Sequence, residues 1–156
     1  AARDKLGFRP EPISDCQPLH EAAWALQSEL GSNLRAMRDA TRGGLSAVLH
    51  EWSDASRTTL SIDESALPVT AEVRGVCELL GLDPLHVANE GTLVAAVAPG
   101  SEAAAIDRLR RMPTMQQATL IGSAEALTTA PVVIEGILGS RRAVDEPAGA
   151  PLPRIC

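Results

Sequence analysis

Helical and β-rich patterns alternate along most of this chain, and this alternation limits the fold more than any other feature. Apolar residues at helical spacing predict a first helix over about residues 19–31, directly after Pro18. A second stripe predicts a helix that begins near Leu45, and a short alternating strand follows at residues 58–62. Because each helix and each sheet must cover its apolar face, such a chain folds in layers.

The alternation continues through the second half of the chain. The patterns predict further helices over residues 69–80 and from Ser101, with strands at residues 86–89, 92–97, 120–122 and 132–134. We therefore expect an α/β (α+β) fold, a layered domain with a mixed sheet flanked by helices.

The apolar periodicity stops near residue 145. Prolines interrupt the rest, so we predict one domain over residues 1–145 and a flexible tail over residues 146–156.

The first residues have neither an initiating Met nor the apolar segment of a secretion signal, and we expect the chain to be part of a longer protein. Three widely spaced cysteines match neither a disulfide framework nor a metal pair, which favours a cytoplasmic location.

Charge and aromatic content narrow the range of partners. The chain has 14 basic and 20 acidic side chains, a formal charge of −6 and 2% aromatic residues. It therefore lacks the positive field and the stacking surfaces that nucleic acids require. Its longest uncharged stretch, Met112–Ala124, is shorter than the roughly 18 apolar residues of a membrane span. We expect no nucleic-acid partner and no membrane partner.

A glycine-containing motif at Arg38–Gly44 is the first candidate site. Glycines at the start of a helix let backbone N–H groups approach a phosphate, and the nearby Asp39 could hold a Mg²⁺ ion that bridges to it. The plainer alternative is a tight turn in which Asp39 or Thr41 caps the helix.

A second candidate is the polar break Ala88–Gly91 between two apolar segments. Glu90, beside Asn89, could act as a general base or orient a substrate. The alternative is a hairpin turn, since Asn and Gly readily adopt left-handed backbone conformations.

The last residue, Cys156, is a third candidate. A thiol at the end of a proline-containing tail can reach several sites, and a nearby positive group such as Arg154 would favour the nucleophilic thiolate, although the residue could also be incidental. Cys77 lies on a helical stripe and is predicted to be a core residue, whereas packing and function both stay open for Cys16. The histidines are expected at the surface or as caps: His20, His50 and His86.

Six segments of this sequence match the pattern of one protein family: Ser14–Leu19, Arg38–Gly44, Ala66–Pro68, Arg74–Asp83, Ala88–Gly91 and Pro151–Cys156. Together they closely resemble the HypE family, the carbamoyl dehydratases that mature nickel–iron hydrogenases. The terminal Pro-Arg-Ile-Cys separates that family from the related aminoimidazole ribonucleotide synthetases and selenophosphate synthetases.

The resemblance implies a reaction and its residues. In that family a carbamoyltransferase, HypF, loads a carbamoyl group onto the terminal cysteine, here Cys156. ATP then drives dehydration of the thiocarboxamide to a thiocyanate, and the cyano group passes to iron on a HypC–HypD complex. By this resemblance Glu90 is the base and Asp39 is the Mg²⁺ ligand. The implied nucleotide-binding residues are Asp39, Thr41, Gly43, Gly44 and Asn89.

The resemblance also implies what lies outside the chain. The N-terminal half of the family supplies most of the ATP-binding carboxylates and the central sheet of a homodimer. The chain resembles the C-terminal half, with the fold of the aminoimidazole ribonucleotide synthetase C-terminal domain, and it is expected to fold alone without hydrolysing ATP.

Two alternative functions remain open. One is a phosphotransferase of the same superfamily that acts on a small metabolite, which would have no use for a terminal cysteine. The other is a carrier or docking module without catalysis, in which Cys156 is a loaded arm.

Overall fold

The computed structural model describes residues 13–136 and 138–147. The helices are α1 (His20–Leu30), α2 (Gly44–Ser56), α3 (Ala71–Leu80) and α4 (Glu102–Arg110). The strands are β1 (Leu34–Ala40), β2 (Thr58–Asp63), β3 (Asn89–Val97), β4 (Gly122–Ala126), β5 (Val132–Glu135) and β6 (Arg141–Ala143). Short 3₁₀ turns lie at Gly31–Asn33, Glu64–Ala66 and Pro84–His86.

The strands form two sheets. β1 and β3 make an antiparallel pair, and the other four strands make a mixed sheet in the order β4–β2–β5–β6. In the mixed sheet β2 is parallel to β5 and antiparallel to β4, while β5 and β6 are antiparallel. The expected layered α/β fold with a mixed sheet is confirmed, and the structure adds the two-stranded sheet.

Helices cover the apolar faces of both sheets. Leu26 of α1 and Ala105 of α4 belong to one core cluster, which packs on the two-stranded sheet. α2 contacts both sheets, because Leu49 packs with Val132 of the mixed sheet and Val48 packs with Val94 of β3. Within the described part of the chain, no helix combines the length and apolar character needed to cross a bilayer.

The prediction of a strand at residues 86–89 was wrong. The Leu85 N–H donates to the Asp83 carboxylate, and Pro84 begins a 3₁₀ turn, so this segment starts as a turn. β3 begins only at Asn89 and continues without interruption to Val97. The two predicted β-rich segments are therefore a turn followed by one strand.

Two strands were not predicted from the sequence. β1 carries three charged residues and little apolar alternation, and it becomes a strand through its antiparallel pairing with β3. The side chains of β6 are all exposed, and that strand exists through pairing with β5. In both cases the partner strand supplies the stabilising hydrogen bonds, which a local pattern cannot reveal.

Gly44, the first residue of α2, lies very close to another part of the backbone. A Cβ atom here would be 2.5 Å from the carbonyl oxygen of Leu85 and 2.6 Å from that of Val87. Its φ of 62° is also in the left-handed region. Only glycine therefore lets α2 begin against the Leu85–Val87 segment.

Gly44→Ala should destabilise the chain much more than Gly81→Ala. Both glycines have a left-handed φ, but a Cβ at Gly81 would meet no atom within 4 Å. We expect Gly81→Ala to lower the free energy of unfolding by about 1 kcal/mol. The collision at Gly44 should raise that loss to about 3 kcal/mol. Urea unfolding followed by circular dichroism measures both losses, and equal losses would contradict the close approach.

Candidate active site

The two internal motifs lie at the same end of the two-stranded sheet. β1 ends at Ala40, which is opposite Asn89, the first residue of β3. Because the strands are antiparallel, the end of one meets the beginning of the other. Asp39 and Glu90, each next to a member of this pair, are both exposed. The structure therefore brings the two candidate sites together.

An irregularity in the strand pairing shapes this end of the sheet. From Asp39 to Ala40, β1 advances by one residue, while its partner changes from Leu93 to Asn89. The residues between those partners, Glu90 among them, lie outside the regular ladder as a bulge, and bulges redirect side chains. The segment is thus the irregular start of one strand, and the alternative of a hairpin turn is wrong.

Two side chains from the segment before α1 hold the backbone next to Glu90. The Gly91 N–H donates to Oδ2 of Asp15 at 2.8 Å, and Nε2 of Gln17 donates to the Gly91 carbonyl at 3.1 Å. A Cβ atom on Gly91 would collide with the Asp15 carbonyl oxygen. Sequence reasoning assigned no role to Asp15 or Gln17, although the segment that contains them is part of the resemblance.

The side chain of Asn89 carries a buried oxygen that lacks a donor. Its Oδ1 is inaccessible to solvent and has no hydrogen-bond partner among the residues that the structure describes. Leaving such an acceptor unpaired costs about 1–3 kcal/mol. A ligand has no access to this atom in the present arrangement, because even water does not reach it.

The glycine motif forms a tight turn into α2. The Gly44 N–H donates to the Thr41 carbonyl at 2.9 Å, and the N-cap of α2 is Gly43, with a left-handed φ of 81°. The turn expected as the plainer alternative is present, but neither Asp39 nor Thr41 is the N-cap. Both glycines are buried, so they permit close packing, and Asp39 is the exposed carboxylate of the motif.

The C-terminal tail leaves the core beside this turn. Val144 is buried, and its N–H donates to the Val132 carbonyl at 3.0 Å. A Cβ on Gly43 would lie only 3.3 Å from Cγ of Pro147. The described start of the tail is therefore at the same end of the sheet as the two motifs. Cys156 lies outside the described residues.

Two histidines contact the start of the tail. Nε2 of His50 is 3.1 Å from the Val144 carbonyl oxygen, and Nε2 of His86 is 3.1 Å from that of Asp145. His50 is buried, so its expected place at the surface or as a cap is wrong. The sequence could not show these contacts, because 94 and 59 residues separate the partners.

The residues at this end of the sheet could supply only a few of the ligands that a metal–nucleotide complex needs. Asp39 offers one exposed carboxylate oxygen donor, the type that Mg²⁺ prefers. The described residues contain no group of three or more His, Cys, Asp or Glu side chains that could hold a metal ion. Asp39 alone could be such a ligand, and the residues that the structure describes do not complete a metal site.

Comparison with known proteins places the chain in a family. The family model described as AIR synthase related protein, C-terminal domain, matches residues 2–133. The chain belongs to this family. The C-terminal-domain fold expected from the sequence is thereby confirmed.

Individual relatives in this family are more specific. The chain is 44% identical over 99% of its length to the carbamoyl dehydratase HypE of Escherichia coli K12, and 44% identical over 99% to that of Bradyrhizobium diazoefficiens. It covers 45% and 44% of those proteins, so it spans less than half of their length. The resemblance to HypE is confirmed.

Solved structures agree with this relationship. A HypE in complex with ATP matches with a TM-score of 0.88 and 34% identity, covering 96% of this chain and 46% of that one. A HypE–HypF complex matches with a TM-score of 0.88 and 36% identity, covering 94% of this chain and 47% of that one.

Cys77 should react with alkylating reagents much more slowly than Cys16 in the folded chain. Burial raises the pKa of the Cys77 thiol, and the negative charge of Asp83 raises it further, so little thiolate forms at neutral pH. Cys16 is exposed. We expect a rate difference of about tenfold or more, measured by mass spectrometry of the two peptides, that disappears in urea. Similar rates in the folded chain would contradict the burial of Cys77.

The same pKa shift predicts how stability depends on pH. Because the folded-state pKa of Cys77 is raised, its contribution to stability is complete below the ordinary thiol pKa and is lost as pH rises through the folded value. In a Cys77→Ala variant, the free energy of unfolding should not show this loss as the pH rises.

Proposed function

We propose that this chain is the C-terminal half of a carbamoyl dehydratase that acts in nickel–iron hydrogenase maturation. The observation that carries the proposal is the position of the tail, because Pro147 lies beside Gly43 at the end of the sheet that contains Asp39 and Glu90. The relatives named carbamoyl dehydratase HypE support the reaction.

Cys156 is the carrier in this proposal. Residues 1–145 form the domain, and residues 146–156 form the carrier arm. The sulfur holds a carbamoyl group as a thiocarboxamide, –S–CO–NH₂, and dehydration converts this group to the thiocyanate –S–C≡N. The carbon–oxygen bond breaks, and the nitrogen loses both of its protons. The reaction therefore needs a leaving group at oxygen and a base near nitrogen.

Glu90 is the proposed base for the carbamoyl nitrogen. It is exposed at the bulge, and the contacts of Asp15 and Gln17 with Gly91 fix the backbone beside it. The proposed base is therefore an exposed carboxylate on a backbone that two hydrogen bonds hold in place.

ATP, when bound, would supply the phosphoryl group that converts the carbamoyl oxygen into a leaving group. On this chain Asp39 would be a ligand of the accompanying Mg²⁺, and Thr41, Gly43, Gly44 and Asn89 would line the nucleotide side. The solved complex of a HypE with ATP supports the nucleotide. Since the described residues contain no group that could hold a metal alone, we assign the other ligands to the remaining part of the full-length protein.

The proposed partners follow from the same reaction. A HypF-type carbamoyltransferase would load Cys156, which the solved HypE–HypF complex supports. A HypC–HypD complex would receive the cyano group, and the full-length protein would be a homodimer in the cytoplasm. The chain alone would lack activity, because most nucleotide ligands lie outside it.

In the full-length protein, Cys156 should be the residue that carries the carbamoyl group. Incubation with the carbamoyltransferase, carbamoyl phosphate and ATP should give a modified C-terminal peptide in mass spectrometry. A Cys156→Ser variant should give none and should fail to support hydrogenase maturation. Cys16→Ser is the matched control and should behave as the parent. An unmodified Cys156 in the parent would reject the proposed reaction.

Glu90→Gln should block dehydration after loading. The amide cannot accept the proton, so conversion of the thiocarboxamide to thiocyanate should slow by about 10²- to 10⁴-fold, while the carbamoyl adduct still forms on Cys156. Single-turnover mass spectrometry distinguishes the two adducts. Glu29→Gln, an exposed substitution on α1, is the control. If Glu90→Gln converts the adduct at the parent rate, Glu90 is not the base.

A further inference from the structure

Three side chains contact two successive carbonyl groups at the start of the C-terminal arm. Nε2 of His50 faces the Val144 carbonyl oxygen at 3.1 Å. The hydroxyl of Ser46 donates to the Asp145 carbonyl at 3.0 Å, and Nε2 of His86 faces the same oxygen at 3.1 Å. We call this group, Ser46, His50 and His86, the arm clasp.

The arm clasp joins elements that are distant in sequence. Ser46 and His50 lie one turn apart on α2, so both side chains point from the same face of the helix. His86 comes from the 3₁₀ turn that packs against the start of α2. Nδ1 of His50 faces the carbonyl of Ser46 at 2.8 Å. Because a neutral imidazole carries one N–H, the contact with the Val144 carbonyl is a hydrogen bond in the tautomer that is protonated at Nε2.

Burial makes the arm clasp a specific arrangement. Ser46 is 0% exposed, His50 is 9% exposed, and Val144 is 4% exposed. Polar groups at such depth are costly without partners, and here the carbonyls of Val144 and Asp145 are the partners. The side chain of Val144 also belongs to the core cluster that includes Leu49. The arm therefore begins from a fixed point of the core.

We propose that Ser46, His50 and His86 are positioning residues for the carrier arm. They hold Val144 and Asp145 so that the arm starts beside Gly43, at the end of the sheet that contains Glu90. This inference rests on the proposed function, since it concerns the arm that carries Cys156.

The length of the arm explains why its starting point matters. Cys156 is nine residues beyond Pro147, so the thiol can move no further than about 30 Å from that point. Without the arm clasp, the last residue that the core holds would be Ala143, thirteen residues before the thiol. That lengthening lowers the effective concentration of the thiol at the site by about twofold. Hydrogen exchange at the first residues of the arm is therefore a more sensitive readout than the rate of dehydration.

Hydrogen exchange in the full-length protein tests the proposal directly. His86→Ala and Ser46→Ala each remove a hydrogen bond from Asp145, and we expect the Val144 amide to exchange about three- to tenfold faster. Exchange in β2 should stay at the parent rate, which separates local release of the arm from global unfolding. His20→Ala, an exposed substitution on α1, is the matched control and should change neither rate.

Conservative replacement of His50 tests its particular role. In His50→Gln the side-chain amide nitrogen can take the place of Nε2 and donate to Val144, whereas His50→Phe fills the space without a donor. We expect exchange near the parent rate for Gln and faster exchange for Phe. Dehydration of a preloaded carbamoyl adduct should slow by about twofold in His50→Phe and His86→Ala. Loading by the carbamoyltransferase should stay unchanged.

The proposal is overturned if Val144 exchanges at the parent rate in both His86→Ala and Ser46→Ala, or if His50→Gln behaves like His50→Phe. Hydrogen exchange needs no chemistry at Cys156. An unmodified Cys156 would therefore reject the proposed reaction while the exchange rates still decide whether the arm clasp exists.

Discussion

The start of α2 lies closer to the backbone of the Leu85–Val87 segment than any residue with a Cβ atom would allow. Gly44 makes this approach possible, and the contacts among α2, the Pro84–His86 turn and the start of the tail depend on it. With α2 in this position, Ser46 and His50 face the start of the tail, and His86 reaches it from the opposite segment. The backbone contact thus joins the helix to the 3₁₀ turn, and a side chain from each of them contacts the start of the tail.

The pairing of β1 with β3 supplies the second constraint. It brings Ala40 opposite Asn89, and the bulge after Asn89 leaves Glu90 outside the ladder. The segment before α1 then fixes the bulge through Gly91. The exposed Glu90 carboxylate therefore lies on a strand end whose backbone is held by two hydrogen bonds.

Much of the fold was accessible from the sequence, because the amphipathic stripes of the helices are local patterns. The helix expected at residues 19–31 is His20–Leu30, and the strand expected at residues 58–62 is Thr58–Asp63. The sequence did not predict β1, because its charged residues interrupt the alternation of apolar and polar side chains. The strand forms through its pairing with β3. His50 was misplaced because its partner, Val144, lies 94 residues away.

The sequence by itself determined the family and supplied the candidate residues for the site, since resemblance and residue type do not depend on coordinates. Only the tertiary structure decided which of these residues meet. Antiparallel pairing brought Asp39 and Glu90 to one end of a sheet, and packing against Gly43 brought the start of the tail there. The reason is physical: contacts between distant segments arise from packing and hydrogen bonding in the folded chain, which no local pattern encodes.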